Sequence, residues 1–176
     1  MPQFQALPGF YKLLFLYFEP VSTISPALII WLWGASWFHH QLVPSSESSP
    51  PSGFLDNRSV LAVWQLGNCY MLLGLISSLA FRAVRNALPD NPVAQEQIIG
   101  STFTALAIAD VTHVLASFVG LPSELRFSPA SWNATCHGNV TFTLFLFSMR
   151  MAWFMGIGRR RYYYGQSRPL KVDKTK

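Results

Sequence analysis

Residues 98–121 read IIGSTFTALAIADVTHVLASFVGL. As a helix rising about 1.5 Å per residue, this run is long enough to cross the hydrocarbon core of a bilayer. It nevertheless carries Asp110 and His113 in its middle. An ionisable side chain at that depth costs about 2.5–3.5 kcal/mol on insertion scales, so it persists where an interior partner or a function compensates. Positions i and i+3 share one helix face. Asp110 and His113 are therefore expected to point into the interior of a helical bundle rather than at lipid.

Working outward, the whole chain has the composition of a membrane protein. Of its 176 residues, 51% are hydrophobic and 12% charged, against about 25% charged in a soluble domain. Mean hydropathy is +0.27. Four apolar windows are expected to span: 10–38, 60–81, 98–121 and 139–158. They predict an all-α fold, a single membrane domain of four transmembrane helices over residues 1–158, followed by a basic tail at 159–176. The first window is too long for a secretory signal and lacks a small-residue cleavage site, so it reads as a true span. Connectors rich in Pro, Ser, Gly and Asn separate the windows, as turn chemistry requires. Lys and Arg concentrate in the tail and in the second connector, which carries Arg82 and Arg85. Both termini are thus expected on the cytosolic side. Sequons at Asn57, Asn133 and Asn139 all fall on the opposite side; only Asn133 is far enough from a span to be a glycosylation acceptor, and a chance sequon is an equal reading of it.

The same features exclude several classes. The net charge of +5 sits largely in the tail, beside a membrane helix. It marks topology and contact with anionic lipid rather than a nucleic-acid-binding face. Cys69 and Cys136 lie in different environments and support no disulfide framework. No CxxC or HExxH pattern is present, so no structural metal site is expected.

Few charges remain inside the windows. Glu19 and Asp110 are the embedded acids, Arg150 is the deeply embedded base, and Lys12 lies near a membrane face where it can snorkel. Helical rise places Glu19, Asp110, Arg150, Gln65 and Asn68 within roughly 10 Å of one level. Pro20 follows Glu19, and Pro26 comes later in the same window. Each removes a backbone bond, and Ser22, Thr23 and Ser25 are placed to re-satisfy freed carbonyls. Two readings of this layer stand. It is a buried ion pair with hydrogen-bonding glue between helices. Or it is a proton donor in an apolar chamber, because one arginine leaves a second acid without a counter-charge and burial favours its protonated form. Trp31, Trp33, Trp64, Tyr70, Phe147 and Trp153 would serve either as packing and interface belts or as faces that stabilise a carbocation. His39, His40 and His137 are expected in the wet interface.

The stretches YKLLFLYFEPVS, QLGNCYMLLG, IADVTHVLAS and GNVTFTLFLFSMRMAWFMGIG resemble the small four-helix fungal membrane proteins that include the membrane-bound terpene cyclases of the ascofuranone and macrophorin pathways. Related members are the epoxide hydrolases or cyclases of the aurovertin and citreoviridin pathways. The resemblance covers residues 10–158. It implies a cofactor-free, acid-initiated cyclisation of a prenylated (meroterpenoid) or polyene substrate in secondary-metabolite biosynthesis. The substrate would be a hydrophobic small molecule reached from the lipid bilayer of the endoplasmic reticulum. An epoxidase or a prenyltransferase would act upstream. By the same resemblance, Asp110 or Glu19 is the acid, His113 and Asn68 orient donor or substrate, and Arg150 holds the ionised acid. A hydrolase of the same fold, a non-enzymatic scaffold and a small carrier are the alternatives.

Overall fold

A computed structural model describes residues 4–47, 50 and 55–165. Among them every regular element is helical. Helix α1 covers Gly9–Trp33, α2 Ala35–Gln41, α3 Asn57–Ala87 and α4 Pro92–Gly120. Helix α5 covers 134–155, as a first turn, a π segment His137–Phe142 and a final stretch Thr143–Met155. Three helices, α1, α3 and α4, are long and apolar enough to cross a membrane. Most of the expected tail, residues 166–176, lies outside the described residues.

Local chemistry sets the helix ends. The Asp56 carboxylate caps α3, accepting from the Arg58 and Ser59 amides at 2.7 and 3.2 Å. The Ser59 hydroxyl, with those amides, holds that carboxyl below its usual range. Asn91 caps α4 through the Ala94 amide, and Pro92 fills the first helical position, where no amide bond is lost. Gly34, at φ +90°, breaks α1 from α2, and Gly156, at φ +78°, ends α5 in the left-handed conformation.

The first helix answers its prolines in an unexpected way. The hydroxyls of Ser22 and Thr23 donate to the Glu19 carbonyl, and that of Ser25 to the Val21 carbonyl. The carbonyls four residues before the prolines belong to Leu16 and Ser22, so these hydroxyls do not make the expected repair. Instead a π turn at Leu14–Phe18 precedes Pro20, and the Glu19 amide donates to the Leu14 carbonyl five residues back. The register shifts by one residue before Pro20, and the helix continues.

The four long helices alternate in direction. Trp153 Nε1 donates to the Ala6 carbonyl and the Tyr11 hydroxyl to the Ile157 carbonyl, both at 2.7 Å, which joins the start of α1 to the end of α5. Asn133 Nδ2 donates to the Gln41 carbonyl at 2.9 Å, joining the opposite ends. Helix α1 packs along α3, and α4 along α5, whereas α3 and α4 touch little. A large apolar core fills the end that holds Leu7, Phe15, Phe81, Phe103 and Trp153. A smaller one, around Ile30, Phe38 and Val63, fills the other. Burial along α4 ends at Asp110, beyond which the helix borders open space.

The buried positions of α3 are Val63, Gly67, Gly74, Ser77, Phe81 and Val84. Their spacings of three, four and seven make one seam against α1, with small residues where backbones come closest. A Cβ on Gly74 would stand 2.6 Å from Ile24 Cγ1 and 3.1 Å from the Pro20 carbonyl oxygen. Gly67 meets only the movable end of Ile30. Gly74→Ala is therefore expected to destabilise the fold by about 1–3 kcal/mol, the usual cost of overpacking, and Gly67→Ala by less. Unfolding in graded sodium dodecyl sulfate would show the difference.

Candidate functional site

Helices α1, α4 and α5 each send one charged side chain to a common point. Glu19 follows the π turn of α1. Asp110 is the last buried residue of α4. Arg150 lies between Leu146 and Trp153 on the inner face of α5. The Arg150 guanidinium acts as a fork: Nη1 donates to Asp110 Oδ2 and Nη2 to Glu19 Oε1. Relative exposure is 4% for Glu19, 9% for Asp110 and 1% for Arg150. The guanidinium lies 5.5 Å from the centre of the Phe15 ring and 5.8 Å from that of Phe103, so one face is closed by aromatic carbon. Glu19 Oε2 and Arg150 Nε are buried without a hydrogen-bond partner.

This cluster corrects one expectation. Neither acid is left without a counter-charge, because both share Arg150. The charge count still matters. Two carboxylates and one guanidinium carry a net −1, and a single proton makes the cluster neutral, the state favoured where solvation is poor.

His113, one turn beyond Asp110, does not join the cluster. It lines a cavity of about 370 Å³ near the opposite end of the molecule, together with His39, Leu66, Tyr70, Ser117 and Asn139. Glu19, Asp110 and Arg150 are not among its lining residues. Asn68 and Gln65 are exposed side chains of α3, and the hydrogen bonds of both acids run to Arg150 instead. Glu19, Asp110 and Arg150 share a level and meet there, but level along a helix does not fix which way a side chain faces. Among the aromatic candidates, Trp153 is fully buried beneath Phe103, Tyr70 lines the cavity, and Trp31 and Trp33 face outward.

Asn133, in the sequon farthest from a span, has its side chain in two hydrogen bonds. It caps α5 by accepting from the Cys136 amide, and its own nitrogen is tied to Gln41. Asn139 lines the cavity, and Asn57 is exposed at the start of α3. Cys69 and Cys136 are both free thiols. His39 lines the cavity. His40 Nε2 is 2.9 Å from the Glu47 carbonyl oxygen, and His137 packs on Trp132. Among the described residues, no three His, Cys, Asp or Glu side chains converge as metal ligands.

A second buried ion pair was not foreseen. Glu96 is fully buried and accepts from Arg159 Nη2 at 2.8 Å. The backbone amides of Tyr162, Tyr163 and Tyr164 turn toward the same carboxylate. The Arg159 guanidinium lies over Trp153, 3.8 Å from the ring centre. Tyr164 presses so closely on Gly100 that a Cβ there would overlap its ring. Residues 159–165, expected as the start of a tail, thus fold back onto α4. The sequence did hold a signal. Glu96 falls on the same stripe as Ile99, Phe103, Leu106 and Asp110, two residues before the apolar window 98–121 begins.

Residues 4–160 match the family model described as Domain of unknown function (DUF7704), and the chain belongs to that family. No curated protein and no solved structure matches it.

Two outcomes are expected. Arg150→Leu leaves two buried acids facing each other and should destabilise the protein by about 3–5 kcal/mol, whereas replacing Arg150, Glu19 and Asp110 together by Met, Gln and Asn should recover most of that loss. Denaturant unfolding in detergent measures both. Glu96→Gln removes the anion that gathers the three tyrosine amides and should speed tryptic cleavage after Arg160 and Arg161 several-fold at unchanged helical content.

Proposed function

We propose that this protein is an integral membrane enzyme of four spans, with both termini cytosolic and the endoplasmic reticulum as its compartment. It would open an epoxide, or protonate a terminal olefin, on a prenylated or polyene substrate and let the chain cyclise. Membership of a family described only by its domain does not specify a reaction. The observation that carries the reading is the fork itself: two buried carboxylates on one guanidinium, one helical turn from a His-lined cavity. The cavity volume falls in the range of small-molecule sites, about 300–1,000 Å³.

In this reading the neutral cluster carries one proton, on Asp110. Asp110 is the more accessible acid, with 12% of its side chain exposed against 5% for Glu19. It also shares a helix with His113, which borders the cavity. Glu19 remains ionised against Arg150. The proton passes from Asp110 to the epoxide oxygen, a C–O bond breaks, and positive charge develops on carbon. The cluster is then −1 beside a +1 substrate, a pair that low dielectric strengthens. An internal alkene or oxygen closes the ring, a proton returns to the carboxylate, and mass is unchanged. Trapping by water would give a diol, the hydrolase outcome. His113 would orient the substrate oxygen. The exposed Asn68 has no part in this scheme. No cofactor is invoked, and an epoxidase or prenyltransferase would supply the substrate.

One observation favours a second reading. The acids do not line the cavity, and Phe15 and Phe103 seal Arg150, as expected of a clamp that only joins helices. Mass spectrometry of microsomes given prenylated aromatic substrates, with and without a terminal epoxide, separates the two. On the enzymatic reading, a product of unchanged mass, or one heavier by one water, forms with the wild type. It falls at least about 100-fold in Asp110→Asn at unchanged protein level, the usual loss on removing a general acid. Loss of the protein from the membrane, with no product from the wild type, supports the clamp.

A further inference from the structure

The end of the molecule that carries both described chain ends has an open groove of about 690 Å³, and the function proposed above makes no use of it. Phe4, Leu7 and Lys12 line one side, and Gly158, Arg160 and Tyr162 the other. Arg159 also borders it, but its charge is met by Glu96. Lys12 and Arg160 form no ion pair with a carboxylate among the described residues. Among the described residues no acid lines the groove. Lys12 and Arg160 thus border one concave surface with no carboxylate counter-charge among the described residues, the Arg160 guanidinium lying 5.5 Å from the centre of the Tyr162 ring.

Apolar surface begins beside each of these cations. Leu13 follows Lys12, Met155 and Ile157 precede Arg160, and all three side chains are exposed. Lys12 is also three residues from the start of α1, one of the helices apolar enough to cross a membrane. A cation-bordered groove and exposed apolar side chains close to it in the chain thus occur at one helix end. A free phosphate would satisfy the cations and leave the apolar side chains in water. An amphiphile with an anionic phosphate head and hydrocarbon chains satisfies both. We infer that this groove is a binding site for an anionic phospholipid, its phosphate held by Lys12 and Arg160 and its chains lying along Leu13 and Ile157.

The test uses the full chain in nanodiscs of phosphatidylcholine containing a minor fraction of phosphatidylglycerol, with retained lipid counted by native mass spectrometry. Wild-type protein should retain phosphatidylglycerol over phosphatidylcholine by roughly tenfold or more, the scale of two cations at a membrane surface. Lys12→Gln/Arg160→Gln should abolish that preference. Arg58→Gln, an exposed cation at the opposite end, should keep it. Absence of a preference in the wild type overturns the proposal whatever the variants do. So does an unchanged preference in the double variant, or an equal loss in Arg58→Gln, which would mean unspecific surface charge. Release of the lipid by millimolar inorganic phosphate would reassign the groove to a soluble anion and also overturn it.

Discussion

One guanidinium holds three helices at the middle of this protein. Arg150 on α5 reaches Glu19 on α1 and Asp110 on α4, and the fork geometry fixes the distance and rotation of each helix. The large core lies on one side of this fork, where Phe15 and Phe103 close over the guanidinium. The cavity lies on the other side, where α4 has no further buried residue. The ion cluster is thus a partition. Its burial has no small energetic meaning, because an unpaired charge at this depth is far costlier than a paired one.

The π turn before Glu19 belongs to the same constraint. Pro20 cannot supply an amide bond, and a plain kink would redirect the helix that carries the acid. Shifting the backbone by one residue absorbs the defect within Leu14–Phe18 and leaves Glu19 facing Arg150. A second π segment follows the first turn of α5, at His137–Phe142, where Asn139 and Val140 meet the cavity. In both places the irregular backbone adjoins a polar interior feature, where such bulges are commonly found.

The Glu96 cluster follows another logic. A single carboxylate gathers one guanidinium and three successive amides, turning the RRRYYYG segment into a strap over the end of the bundle. The strap also builds one wall of the basic groove, since Gly158, Arg160 and Tyr162 border it. Basic residues that look like a solvated flank can thus be divided: Arg159 is spent inside the fold, and Arg160 stays at the surface.

By itself the sequence determined the helical class, the approximate extent of the long apolar helices, and the coincidence of Glu19, Asp110 and Arg150 at one level. Hydropathy and a rise of 1.5 Å per residue are properties of the chain alone, so they can be read without a fold. Only the tertiary structure decided which polar groups meet. Asn68 stands at the right level but is exposed, His113 shares a face with Asp110 yet borders the cavity, and Glu96 reaches across to the strap. Level follows from position along a helix, but partnership depends on how each helix is rotated. That rotation is set here by the close packing of α3 on α1 at Gly67 and Gly74 and by the single arginine between two acids.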